Sequence, residues 1–319
     1  MIALRNKILI IVYLILFIIT IVSCDTSTDY QVEPLPIEKN NLPEILVAQL
    51  SGKLPIYGNI LLSDRWTPQS RKRTRKYLKE IIKQLDIVAS EHRYRFANNN
   101  FGIDLIINPF KGTNIYGILP ATIKTNEYII LGAHYDTGRR NAPGAIDNAS
   151  GVALVYTTIK EVKQLDYRSK NILFVFFDQE EEENIGSKAF IEFMKRKNWN
   201  IHSVHCFDMV GWDRDQDKLF EFYTISKPIL KLYKNIALKN NISLHTTFIN
   251  RKNFKRSATD FDEFAKAGYP SIGGGDCFYK NDISKHKDSK YDTYKTVNFK
   301  YLQLGTDFII QVITALLNR

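Results

Sequence analysis

Four short phrases place acidic or imidazole groups directly after an apolar run: GAHYDT (132–137), PGAIDNASG (143–151), FFDQEEEE (176–183) and FDMVG (207–211). Imidazole nitrogen and carboxylate oxygen gathered at one point suit a hard-to-borderline divalent cation, zinc foremost. His134 comes with Asp136 two residues on, an acceptor suitably placed for the second ring nitrogen that a metal-bound histidine must have held. Asp147 stands in a turn before a helix. Asn148 or Ser150 can cap that helix equally well, which leaves both Asp147 oxygens free to bridge cations. Four adjacent glutamates, 180–183, ordinarily form a solvated face. At the mouth of a parallel sheet, one of them can instead bind metal while its neighbour accepts a proton from water. Asp208 closes its own apolar run in the same manner.

The elements that must carry these groups are legible from periodicity. Residues 127–133, 171–177 and 203–207 are unbroken apolar or β-branched runs, the pattern of strands buried on both faces. Helical spacing marks residues 71–85 (Leu78, Ile81, Ile82, Leu85) and 150–165 (Val152, Val155, Ile159, Val162). Further helices are predicted over 186–195, 227–238, 260–267 and 298–317, the last with Asn298 as N-cap. Strands are predicted over 101–109, 114–119 and 219–224, and from 269 onward. Strands alternating with helices indicate a three-layer α/β/α sandwich around a mainly parallel mixed sheet, with antiparallel edge strands before residue 133. The carboxyl ends of its parallel strands are where such sheets build their sites.

The chain has 319 residues, 44% hydrophobic and 24% charged, ordinary globular composition with enough length for a sizeable core. Its start differs. Arg5 and Lys7 precede an apolar stretch over residues 8–22 and then Ser23-Cys24, the layout of a secretory signal. Fifteen residues span about 22 Å as a helix, short of a ~30 Å bilayer core, although a signal anchor stays open as the alternative. Residues 21–24 (Ile-Val-Ser-Cys) resemble the lipobox of bacterial lipoproteins, which implies cleavage before Cys24 and lipidation of its thiol. The organisation expected is a lipoprotein signal over 1–23, a tether over 24–44 and one zinc exopeptidase domain over 45–319. Such a chain is exported and lipid-anchored to a bacterial membrane, on its periplasmic or cell-surface face.

The formal charge is +10, and without Arg5 and Lys7 there remain 42 basic against 34 acidic residues. Much of the excess lies in runs such as 71–76 and 285–290. No nucleic-acid reading motif accompanies it, so nucleic acid is not an expected partner and the runs read as solvated faces. After Cys24 only Cys206 and Cys277 remain. They lack metal spacing, and a buried free thiol at Cys206 is the first reading, a bridge between the two the second.

Taken in order, AHYDT, PGAIDNASGVA, FFDQEEEENIGSKAF and FDMVG resemble the di-zinc aminopeptidases of the bacterial leucyl aminopeptidase and aminopeptidase Y type. That family also contains glutamate carboxypeptidase II and the animal-type glutaminyl cyclases. The resemblance covers roughly residues 45–319. It implies two zinc ions, one held by His134 and Asp208, the other by Glu181 and a later histidine, with Asp147 bridging and a cis peptide after it. Glu180 would be the general base, because the family's Glu-Glu pair precedes a Gly-Ser by six residues, the interval from Glu180 to Gly186.

Two departures stand out. The family's last ligand reads His-Thr-Pro-x-Asp-Thr, four residues from His to Asp, whereas His286 lies six before Asp292. His286 is the only histidine beyond His245, so it is assigned as the ligand with a two-residue insertion. The common Ser-Asp-His phrase stands here as Thr259-Asp260-Phe261. The expected activity is release of N-terminal residues from peptides, with Glu182 and Glu183 as candidates for holding the substrate's amino group. Two competing readings are a single-zinc glutaminyl cyclase and a surface lipoprotein that keeps the fold without catalysis.

Overall fold

The computed structural model describes residues 41–96, 110–250, 258–279 and 282–319. The expected signal, Cys24, most of the tether and the strand expected over 101–109 lie outside the described residues. Eight strands form one sheet: β1 (Ser90–Phe96), β2 (Phe110–Leu119), β3 (Glu127–His134), β4 (Asn171–Phe177), β5 (Asn200–Phe207), β6 (Leu219–Thr224), β7 (Ser243–Phe248) and β8 (Ser271–Gly275). Their spatial order is β1-β2-β4-β3-β5-β8-β6-β7. The β4-β3-β5-β8 centre is parallel, β1 and β2 run antiparallel at one side, and β6 is antiparallel to β8 at the other.

Alternation along the central strands fills two separate cores. Ile129, Leu131, Ala133, Phe174 and Phe176 point to one face, while Ile130, Leu173, Val175 and Phe177 point to the other. The first face is covered by α1 (Leu42–Leu50), α2 (Pro68–Lys83), α3 (Gly151–Val162), α5 (Lys227–Lys239) and α7 (Phe299–Leu317). The second is covered by α4 (Ile185–Lys197) and α6 (Asp260–Ala267). A three-layer α/β/α sandwich results, as the alternation of strands and helices predicts.

Helix starts follow their capping chemistry. Thr67 accepts the Ser70 N–H ahead of Pro68 at the head of α2, and Asn298 accepts the Tyr301 N–H at the head of α7. Thr259 and Asp262 cap α6 reciprocally. Helix α1 begins inside the stretch expected to be tether, and its Leu42, Leu46, Val47 and Leu50 enter the main core. Among the described residues no helix is long and apolar enough to cross a membrane. Cys206 and Cys277 are both buried and are not joined in a disulfide, in keeping with the first reading of the thiols.

Candidate metal centre

Register decides which residues can meet. Strand β3 lies between β4 and β5, with His134 opposite Phe177 and Gly132 opposite Cys206. The residues that follow these strands therefore emerge side by side at one edge: Tyr135-Asp136, Asp178 to Glu181, and Asp208. The turn carrying Asp147 reaches the same edge from between β3 and α3. Its peptide to Asn148 is cis, as the resemblance implies. Gly144 enters this turn at φ 61°, where a side chain would run into the Asp147 carbonyl oxygen 2.4 Å away.

His134 is buried, and its Nε2 lies 3.2 Å from Asp147 Oδ1 and 3.2 Å from Asp208 Oδ1. Donors 2.0–2.2 Å from a tetrahedral zinc ion stand about 3.3–3.5 Å apart, so these separations fit one cation. Glu181 Oε1 and Asp288 Oδ1 are buried with no hydrogen-bond partner, an expensive arrangement unless a cation satisfies it. Charge points the same way. Burial alone would discharge the His134 ring, but Glu180 and Asp208, with Asp136 and Asp147, hold it well toward the protonated form. The residues present fit a divalent ion held by His134, Asp147 and Asp208.

Asp136 faces both the imidazole and the glutamate pair. Its Oδ1 faces His134 Nδ1 at 3.5 Å. It also accepts the backbone N–H groups of Glu180 (3.1 Å) and Glu181 (3.4 Å). One carboxylate thus orients the imidazole and seats the loop of the glutamate pair. Glu180 Oε2 stands 3.8 Å from His134 Nε2. Burial pushes the Glu180 carboxyl well above its ordinary range, only partly opposed by His134 and reinforced by Asp208 and Asp260. Burial and Asp147 raise Glu181 to about 9. Asp260, in the place of the common Ser-Asp-His phrase, is buried beside this group and pushed up to about 7. Glu182 is engaged by the Gln179 side-chain amide at 3.2 Å.

His286 is not in the cluster. Its ring packs edge-on against Trp212 and Tyr291. The carboxylate that joins Asp147 and Glu181 is Asp288, whose ligand oxygens lie with theirs within 4.8 Å of one another. Gly138 makes room for it, since a side chain there would sit 2.2 Å from Asp288 Oδ1. Asp292 receives the backbone N–H groups of Ile146 (2.9 Å) and Asp147 (3.0 Å). Counting back four residues from Asp292, the interval of the His-Thr-Pro-x-Asp phrase, gives Asp288. The expected two-residue insertion is therefore replaced by an Asp standing in the histidine's place. Beside it, the Lys287 ammonium lies 3.1 Å from Asp147 Oδ2.

Arg65 is a further residue that the sequence did not single out. Fully buried, its guanidinium donates to the carbonyls of Tyr135 (2.6 Å), Leu50 (2.7 Å), Pro143 (2.6 Å) and Gly144 (2.8 Å). Burial lowers it to about 10, against the pull of Asp292, Asp136 and Asp147. It is a fixed positive charge beneath the acidic cluster, and it pins the turn that delivers Asp147.

An imidazole ringed by buried carboxylates at the carboxyl ends of adjacent parallel strands defines a metal-centred α/β protein. The family model described as peptidase family M28 matches residues 114–313, and the chain belongs to that family. A probable zinc metalloprotease of Pyrenophora tritici-repentis is 31% identical over 120 residues, 35% of this chain and 27% of that protein. The chain thus matches about a quarter of the length of such curated relatives. Among solved structures, BSAP, a zinc aminopeptidase from Bacillus subtilis, superposes with a TM-score of 0.70 at 14% identity, covering 85% of this chain and 94% of that one. A glutaminyl cyclase from Porphyromonas gingivalis gives 0.64 at 15% identity, covering 86% and 97%. At these identities the two superpositions speak for the fold.

Proposed function

We propose that this chain is a zinc-dependent peptidase that removes N-terminal residues from peptides. The observation that carries the reading is the convergence of His134, Asp147 and Asp208 at 3.2 Å separations with the Glu180 carboxyl beside them. Zinc, when bound by those three residues, supplies Lewis acidity toward water and toward a carbonyl oxygen.

The chain's own groups do the rest. Glu180 takes a proton from the attacking water at Oε2 and returns it to the departing amine nitrogen, a general base turned general acid. Asp136 holds His134 in one ring orientation and fixes the backbone of the glutamate pair. Glu182 and Glu183, which follow the glutamate pair on the rim, are the candidates for holding the substrate's amino group. The signal-like start and Cys24 support an exported, lipid-anchored enzyme acting on peptides outside the cytoplasm.

The test is hydrolysis of Leu-anilide and of dipeptides by the wild-type chain and by Glu180→Gln. Loss of about 10²–10⁴-fold in kcat with zinc retained is expected. Undiminished turnover in Glu180→Gln would remove Glu180 from the role. A second reading, glutaminyl cyclisation, is favoured by one observation: Lys287 sits on Asp147, and among the described residues the clustered donors include one imidazole, that of His134. Cyclisation of Gln-anilide without release of Leu would establish that reading instead.

A further inference from the structure

Lys287 and Asp288 lie where a second cation would have to bind. Asp147 offers Oδ1 toward His134 and Oδ2 toward Lys287, whose ammonium is 3.1 Å away. The other donors grouped with Asp147, away from the imidazole, are Glu181 and Asp288. This set contains carboxylates alone, a composition that suits Mg²⁺, Ca²⁺ or Mn²⁺ better than zinc. A dication entering there would have to displace the ammonium from Asp147 and bring two positive centres close together. The first position offers an imidazole, and among the described residues no lysine or arginine lies on its ligand atoms.

We infer that Lys287 serves as a built-in monocation in place of a second metal ion, so that this chain binds one zinc ion, at His134, Asp147 and Asp208. The inference rests on the zinc reading of the site and narrows it. The ammonium neutralises the outer oxygen of Asp147 and faces Asp208, Glu181 and Glu180 as well. Lys287 is thus a charge-compensating and positioning residue. It holds Asp147 Oδ2 in place and leaves Oδ1 toward His134, while Asp292 holds the backbone of the same turn.

Titration of metal-depleted full-length protein with Co²⁺, read by its visible absorption, tests this without reference to turnover, and native mass spectrometry with Zn²⁺ gives the count directly. The wild-type chain is expected to saturate at one equivalent. The double variant Lys287→Met, Asp288→His, which removes the ammonium and restores an imidazole, is expected to saturate at two. Two equivalents in the wild-type chain overturn the inference and leave the zinc reading standing. One equivalent in a double variant whose circular dichroism matches the wild type also overturns it. Failure of the wild-type chain to bind any metal overturns the zinc reading and this inference together.

Discussion

Asp292 and Asp147 are 145 residues apart, yet an Asp292 oxygen receives the Asp147 backbone N–H at 3.0 Å while the other receives that of Ile146 at 2.9 Å. The loop before α7 therefore clamps the turn that aims the central carboxylate of the site. Both donors are buried, so no water replaces Asp292 if it is removed.

Asp292→Ala should lower stability by roughly 2–5 kcal/mol, since two buried N–H groups lose their acceptor at about 1–3 kcal/mol each. Asp292→Asn keeps one acceptor oxygen and should cost less than half of that. Urea denaturation of the two variants measures the difference. Equal midpoints for Asp292→Ala and the wild type would show that the clamp contributes nothing.

Asp136→Asn is expected to weaken zinc binding about 10–100-fold, the usual effect of losing the partner of a metal-bound histidine. The amide keeps one oxygen for the Glu180 N–H but removes the charge that faces His134 Nδ1 at 3.5 Å. Competition against a chromogenic chelator reads the affinity. A wild-type value would mean that the ring is oriented by something else.

Arg65 carries a larger share of the architecture. Arg65→Met leaves four carbonyls and several buried carboxylates without their cation, a loss of about 3–5 kcal/mol. Arg65→Lys retains the charge but not the planar fork, so it should recover only part of that stability. A thermal melt of Arg65→Lys matching the wild type would show that charge alone matters here.

How far the sequence foretells this depends on burial. Strands β4 and β6 and helix α6 occur where the apolar runs and the caps place them, because both faces or one clear stripe enter the core. Strand β1 escapes notice, since in SEHRYRF only His92 and Tyr94 are buried and Phe96 is the one wholly apolar side chain. Strand β7 lies at the sheet edge and buries none of its residues fully, so it too lacks an apolar pattern. At the site, His134, Glu180, Glu181 and Asp208 are legible because each ends or follows a strand that periodicity locates, and Asp147 because it precedes a helix located the same way. Lys287 and Asp288 sit in an irregular loop, where counting back from Asp292 is the one available guide. A lone histidine two residues away is the stronger lure. Arg65 carries no local mark at all; its role exists only after the chain has folded around it.

The buried histidines give the fold an acid limit. His205 lies in β5 with its ring between Tyr233 Oη (2.9 Å to Nδ1) and Ser203 Oγ (3.0 Å to Nε2). Burial, helped by His202, pushes its pKa down to about 3, against about 6.5 in an unfolded chain. The folded state therefore favours the neutral ring. Its contribution is complete above about pH 6.5 and is lost as pH falls toward 3, because the unfolded chain takes up the proton first. The slope approaches about 1.4 kcal/mol per pH unit and the whole loss roughly 4–5 kcal/mol. His92, pushed down to about 4 mainly by burial, acts in the same direction. His205→Gln removes one of the two titrations, so its stability should fall less steeply than the wild type between about pH 6 and 4. Denaturant melts across that range measure both slopes, and the NMR resonances of the His205 ring report its protonation directly. Parallel slopes, or a ring that protonates near pH 6 in the folded protein, would mean that His205 is not the buried neutral group described.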